Sequence, residues 1–503
     1  MDFYGRQVIY TSEYDINENN ILDVVRQGYV DYLANISQCD FLLNYEAGNQ
    51  PLQREKKVRT DIDIIDIDNV ANEVTEFKTG FMWGYPITFV QRGVKDSGNE
   101  IESRSVALLN ECYAANDSDS KRQQLARFVE VTGIGYTYVD IDTSGEEGNY
   151  FTVDVLDPRC AFVIRSRRAV NKRIVVGVSF YSDSTGTTYF TAFTDSTRYE
   201  IVNWKVVNGE KIDDKWGFDN RSGEVNPLGM IPIVEWIRSY DRMGCFERQI
   251  TEMDSLNIMW SDFGNDVDQN TQVIWHANDC EIPLDESGNE QKPASNDWIF
   301  TNTPDGGKSP FINPLVVNYD YTGILNCILS KRALILQKCN VPQRNDNSGG
   351  STGIAMSDAT GWSSADNAAN SEEAIMKAAK MNELKLVLRA IKKCPYVPSD
   401  SPLLELRSMD VETNIKRQRN YELTIKSNAI ATLITHGVNG LATLKVANLF
   451  DDPNQVWEDS KDNIIAYQNK LFSQEKTNID NTIVEKVAAD NSDQIDNSPV
   501  LDK

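Results

Sequence analysis

Three features of the 503-residue sequence have residue types and spacings that could do chemistry. The first, Arg344–Met356, reads RNDNSGGSTGIAM and sets three glycines among serines, a threonine and asparagines. A phosphate-cradling loop of the Walker type needs G-x-x-x-x-G-K-[ST]: backbone N–H groups wrap the phosphates and the lysine reaches them. No lysine follows Gly349, Gly350 and Gly353 before Lys377, and the tail of a helix, not a buried strand, precedes the loop. Nucleotide chemistry lacks its key cation, and a flexible connector between two helices fits better. The second, Asp61–Asp68, reads DIDIIDID. A D-x-D metal site without a glycine turn or further ligands is weak, so a strand or loop entering the next helix is expected. The third is histidine supply. His276 and His436 are the only two, which leaves histidine-based triads and metal sites almost nothing to draw on. His436 precedes Gly437, as a cation closing a helix C-terminus would.

The eight cysteines form no C-x-x-C pair, so neither a zinc knuckle nor a thioredoxin-type site is signalled, and reduced thiols are expected. With 75 acidic and 50 basic residues the formal net charge is −25. That argues against a nucleic-acid coat, which would gather phosphates on basic surface. It leaves room for a channel whose acidic walls let DNA slide. A composition of 40% hydrophobic and 25% charged residues suits a soluble folded chain, and the length suggests two to four domains. No apolar run approaches the roughly 18 residues that span a bilayer. The first residues show no basic stretch followed by an apolar one, so no signal peptide is expected.

These residues must be positioned by helices and strands. Residues 18–44 carry Ile21, Val24, Val25, Tyr29, Tyr32 and Leu33 at helical spacing, and a basic patch follows at Arg54, Lys56, Lys57 and Arg59. Asn69–Gly84 reads as the next helix, and about 100–135 as another. Between about 134 and 236 the period changes to two: GYTYVDI, FTVDVLDP, CAFVIR, RIVVGVSFY, TTYFTAFT and RYEIVNWKVV predict an antiparallel β-rich region. Residues 246–270 predict a helix of roughly 35 Å whose polar face carries six carboxylates against Arg248. Five prolines between Pro283 and Pro314 exclude a long helix there and predict a small inserted domain over 273–316, with VIW and DWIF as short strands. A second helix, 318–340, is basic. Next come a helix over Ser371–Lys393 with Asn370 and Glu373 as a capping box, a strand LLELRSM, and helices 417–436, 440–449 and 454–472, the last opening at Asp452 and Pro453. The acidic tail beyond 475 predicts weak order.

In this order the parts resemble the portal proteins of tailed bacteriophages, the siphophage-type family, over roughly residues 20 to 475. Three motifs carry the likeness: GYP after a helix, DP before the FVI strand, and IPIVEW before the acidic helix. The resemblance implies an α+β subunit of a ring, typically of twelve copies, at one capsid vertex. The wing would be 1–245 with its β-rich part at 134–236, the stem 246–272 and 317–340, and the α/β clip 273–316. Residues 341–410 would form the tunnel loop, long tunnel helix and return strand, 411–475 a helical crown, and 476–503 a tail. Gln343, Arg344, Asn345, Asn347, Ser348, Gly349, Gly350, Ser351 and Thr352 would then be the channel-facing loop. Lys331, Arg332 and Lys338 would pair with a neighbour's acidic helix (Asp254, Asp262, Asp266, Asp268), or face DNA, or be solvated. Asp285, Glu286 and Glu290 would contribute to partner binding at the clip. Implied partners are double-stranded DNA, the terminase motor, a head-completion adaptor, and capsid and scaffold proteins; no membrane, cofactor, metal or enzymatic activity is implied. The implied locations are the virion vertex and, during assembly, the host cytoplasm. The alternatives are another phage neck or tail protein, or a carboxylate-dependent hydrolase, for which no Asp/Glu pair stands out.

Overall fold

The computed structural model describes residues 5–52, 63–92, 100–146, 148–168, 170–207, 211–212, 215–216, 223–271, 274–280, 298–304, 309–315, 320–343, 361–417, 422–447, 449–450 and 453–466. The chain divides into two compact units: Met1–Gly80 with Ser118–Asp142 and Phe151–Lys393, and Phe81–Asp117 with Thr143–Tyr150 and Cys394–Lys503. Helices and several small sheets mix in an α+β arrangement.

In chain order the elements begin with β1 (Ile9–Thr11), α1 (Ile21–Glu46), α2 (Val70–Trp83), β2 (Thr88–Gln91), α3 (Glu100–Ala115) and α4 (Ser118–Thr132). Next are β3 (Ile134–Ile141), β4 (Phe151–Leu156), β5 (Ala161–Ser166), β6 (Ile174–Ser182), β7 (Thr188–Phe193) and β8 (Thr197–Val202). Short strands β9 (Lys205–Val206), β10 (Lys211–Ile212), β11 (Lys215–Trp216) and β12 (Glu224–Val225) precede β13 (Ile233–Ile237). Then come α5 (Ile250–Thr271), β14 (Ile274–Asn278), β15 (Trp298–Thr301), β16 (Phe311–Leu315), α6 (Tyr321–Lys338) and α7 (Trp362–Lys393). Finally β17 (Val411–Asn414), α8 (Glu422–Thr435) and α9 (Gly440–Ala447) precede a helix, α10, over 453–466.

In the first unit a seven-stranded sheet runs β1-β5-β6-β7-β8-β12, with β9 also on β8. Its hydrophobic core includes residues of α1: Ile21, Val24, Val25, Tyr32 and Cys39 pack with Phe162, Ile164, Val178 and Phe190. Tyr32 stacks on Phe162 at 4.9 Å and donates its hydroxyl to the Pro158 carbonyl at 2.6 Å. Gly28 permits this approach, because a Cβ there would lie 2.6 Å from the Ile164 side chain. A second sheet, β13-β3-β4, is packed by α4 and α7. In the second unit β17 pairs with β2, and Asn110 of α3 exchanges two hydrogen bonds with the Phe89 backbone. There α8 closes as a Schellman motif: the Gly437 N–H donates to Ile434, the Val438 N–H donates to Leu433, and Gly437 takes φ 81°. His436 is the cap residue in that turn, as its place before glycine predicts.

Several expectations need correction. The helix expected over 100–135 is two, broken at Asn116–Asp117, where Asp117 takes φ 57°. The run RYEIVNWKVV is β8 and β9, folded back at Asn203 and Trp204, both of positive φ. LLELRSM is a 3-10 turn at Pro402–Leu404 followed by turns, and the strand lies further on at Val411–Asn414. The long helix starts at Trp362, after Gly361 at φ 87°, so Asn370 is interior and no cap. Strand β1 escaped the alternation test because it is three residues long, and it joins β5 in parallel. Strand β16, FINPL, contains Pro314, which an edge position tolerates because one side of the strand needs no donor. The tail beyond 475 and Asp452 lie outside the described residues.

Candidate functional site

The element with most functional content is an antiparallel helix pair interrupted by a small sheet. α5 and α6 share a core in which Ile250, Met253 and Leu256 meet Ile328, Ile335 and Leu336. Their polarity is opposed: Phe263 near the end of α5 meets Tyr321 at the start of α6, ring centroids 6.1 Å apart, while Glu252 pairs with Lys338 at the other end. A 3-10 turn, Glu247–Gln249, leads into α5, and Asp320 caps α6 by accepting from the Gly323 N–H at 2.9 Å.

Between the helices, β14 pairs in parallel with β15 and antiparallel with β16. VIW and DWIF thus do contribute strands, as their composition predicted. Trp275, Trp298 and Phe300 form a row with successive centroids 5.9 Å apart. Trp275, Ile299, Phe311 and Ile312 are all exposed. His276 lies against Phe311 and hydrogen-bonds with the Thr301 hydroxyl at 2.8 Å, which accounts for its side chain structurally.

The cations of α6 meet partners within the same subunit. Arg332 bridges Asp68, at 2.8 Å, and Glu73; Lys338 pairs with Glu252; and Lys331 donates to the Ser255 hydroxyl at 2.5 Å. Among the acids of α5, Asp254 accepts the Tyr45 hydroxyl at 2.7 Å. Burial pushes Asp254 up from the ordinary carboxylate range, and that hydroxyl partly offsets it. Asp262 is exposed, and Asp266 and Asp268 are half-buried on the same helix. Gln343 donates to the Ala333 carbonyl at 3.2 Å, folding back on α6. The remaining loop candidates, Arg344, Asn345, Asn347, Ser348, Gly349, Gly350, Ser351 and Thr352, lie outside the described residues, as do Asp285, Glu286 and Glu290.

The segment DIDIIDID has a role that a D-x-D reading missed. Its last part, 63–68, runs antiparallel along α5 as a strap. The N–H groups of Ile64, Asp66 and Asp68 donate to the side chains of Asn265, Ser261 and Asn257 at 2.9, 3.0 and 3.0 Å. Asn265 donates back to the carbonyl of Ile64 at 3.2 Å, and the Ser261 hydroxyl proton is shared between the carbonyls of Asn257, at 2.8 Å, and Asp66, at 3.2 Å. Asn257, Ser261 and Asn265 are spaced four apart and buried, so they form one row on the helix about 12 Å long. Four residues of strap cover that length, about 3 Å per residue, which requires an extended chain. The signal was present in the sequence: two amides and a hydroxyl at i, i+4 and i+8 of one helix face.

Buried charge fixes the connection from β13 to α5. Arg238 bridges Glu130 of α4, at 3.0 Å, and Glu372 of α7. Glu235 sits between Arg165, at 2.7 Å, and Arg242, at 2.8 Å. Burial alone would raise this carboxyl, but the two guanidiniums outweigh it and hold the group below its ordinary value. Arg6 pairs with Glu247 at the entry to α5, and Glu247 also accepts the Gly244 N–H at 2.8 Å. On α7, Glu383 accepts from Lys380 and from Thr137, which in turn accepts the Trp236 indole N–H at 3.0 Å. Among the described residues no cluster of three or more His, Cys, Asp or Glu is arranged to hold a metal, and no helix is long and apolar enough to cross a membrane.

These features describe a scaffold, in which helices are braced by ion pairs and backbone clamps. Comparison with known families agrees. The sequence profile of the family described as phage portal protein, SPP1 Gp6-like, matches residues 31–470, and the chain belongs to that family. No curated protein matches the chain.

Proposed function

We propose that this chain assembles into a closed ring, typically of twelve copies, that forms the DNA channel at one capsid vertex. Packaging, retention and ejection of double-stranded DNA would pass through it. The observation that supports this best is the antiparallel pair α5/α6 carrying a small sheet at one end, within a chain matched by the portal family over residues 31–470. In this reading α5 and α6 are the stem, the sheet of β14–β16 is the clip, α7 is the tunnel helix, and α8 to α10 build the crown. The clip's exposed Trp275, Ile299, Phe311 and Ile312 belong to the surface on which the terminase motor and then a head-completion adaptor dock, and Asp285, Glu286 and Glu290 of the same sequence segment contribute to that binding. The glycine-serine loop after Gln343 lines the channel, and Arg344 is its single cation, so its grip on DNA is light and salt-sensitive. Capsid and scaffold proteins contact the ring during assembly in the host cytoplasm, and the motor's ATP chemistry belongs to another protein.

Because Lys338, Arg332 and Lys331 are engaged within their own subunit, they act in this reading chiefly as braces of the stem. Native mass measurement with imaging of the same sample tests the ring. Twelve copies of 56.8 kDa give roughly 680 kDa with a central hole. A closed dimer or trimer without a hole would overturn the proposal. Deleting residues 346–352 should leave assembly intact and impair packaging or DNA retention; normally filled particles would remove the loop from the channel's function.

A further inference from the structure

The loop joining β5 to β6 is strongly basic in a chain of net charge −25. Five cations and no acid fall within Arg165–Arg173, RSRRAVNKR. Arg165 pairs with Glu235, and Arg173 lies over the Tyr14 ring at 4.5 Å, 4.0 Å from Asp15. Arg167, Arg168 and Lys172 have no carboxylate partner among the described residues. Arg167 and Lys172 instead flank the Tyr10 ring, at 5.4 and 5.8 Å from its centroid. A cation–π contact fixes a side chain without neutralising it. Beside them Val170 is wholly exposed, at 104% of its reference area. The loop therefore presents an apolar knob beside unneutralised cations, two of them held against Tyr10.

The strap on α5 presents the complementary pattern. Asp63 and Asp66 are exposed around Ile64 and Ile65, the latter 60% exposed. Its amides at 64, 66 and 68 face α5, so in an extended chain those of Ile65 and Ile67 face outward. Neither has a hydrogen-bond partner among the described residues. An open backbone edge with an apolar centre and an anionic rim suits an apolar, cationic visitor. In a ring every contact is heterologous: one patch of a subunit meets a different patch of the next.

Resting on the ring reading above, we infer that the basic loop of one subunit docks on the strap of a second copy of this chain, with Val170 against Ile64 and Ile65, and the cluster Arg167, Arg168 and Lys172 around Asp66. The contact selects register and partner more than it adds raw stability.

Charge exchange in the full-length chain tests this. Arg167→Glu with Arg168→Glu should leave the protomer's thermal midpoint and circular dichroism unchanged, and raise the concentration for half-maximal ring assembly about tenfold. Asp66→Arg should do the same. Mixing the two variants, or combining all three changes in one chain, should restore assembly. Loss in each variant without restoration would overturn the docking and point to another anionic partner for the loop, DNA phosphate among them. Unchanged assembly of both variants would overturn it outright. Absence of rings from the unaltered chain would instead defeat the ring reading itself.

Discussion

The large sheet and the small one are built from similar residues and end in opposite conditions. In the seven-stranded sheet, Phe162, Val178 and Phe190 are buried beneath Tyr32 and the rest of α1's apolar face. In the three-stranded sheet, Trp275, Ile299, Phe311 and Ile312 stay exposed, although their strands pair with regular register. Pairing backbone groups makes a sheet; burying a face requires a second layer. The first sheet finds its layer 120 to 160 residues earlier in the same chain, whereas the layer for the second is, under the portal reading, a neighbouring subunit or a docking partner. Exposed apolar side chains on paired strands are thus the mark of an unfinished assembly surface.

This contrast predicts a ranking of substitutions. The largest loss should come from Phe162→Ala, which removes the ring stacked on Tyr32 and leaves a cavity between α1 and the sheet: about 3–5 kcal/mol, read by chemical denaturation of the protomer. Glu235→Gln should follow at about 3 kcal/mol, because it leaves buried Arg242 and half-buried Arg165 without their anion. It should also alter the acid limb. Glu235 titrates below the ordinary glutamate value of 4.5 when folded, so its stabilising contribution is complete above that pH and is lost as pH falls through the lowered folded value. The Gln variant should show a shallower stability loss over that window; an unchanged acid limb would mean that other carboxylates control it. Ser261→Ala should cost about 1 kcal/mol by opening the middle rung of the strap, detectable as faster amide exchange at Asp66. Smallest of all, Ile312→Thr should change protomer stability by less than about 0.5 kcal/mol, while weakening the binding of whatever covers the small sheet. A large protomer effect from Ile312→Thr would erase the contrast between the sheets.

The sequence made some of this legible and hid the rest for physical reasons. β-branched and aromatic runs between Gly, Asp and Ser turns marked β3 to β8 over 134–202, although β3, β5 and much of β6 are buried on both faces. The start of α7 was hidden because its first turns, WSSADNAAN, bury only alanines, Ala365 and Ala369, and so show no large apolar stripe. Ion pairs such as Arg6–Glu247 join residues 241 apart, and no local pattern reports a partner at that distance. The α6 cations could be read as basic, but not as already satisfied by Glu252, Asp68 and Glu73. Of the candidate site, the helix pair and its insert were visible from periodicity and proline; the strap was visible only as a spacing whose meaning needed the third dimension.

The strap on α5 has one more consequence. Two residues of extended chain advance about 6.6–6.8 Å and one four-residue helical step advances 6.0 Å, so the two scales slip by about 0.7 Å at every rung. Three rungs centred on Ser261 absorb this slip, one on either side. Two rungs out from that centre the error would reach about 1.4 Å, enough to spoil a hydrogen bond of ordinary length. The clamp behaves like a short vernier whose scale ends with its teeth: sliding one tooth toward Met253 would leave the amide of Asp68 facing a side chain that accepts no comparable hydrogen bond.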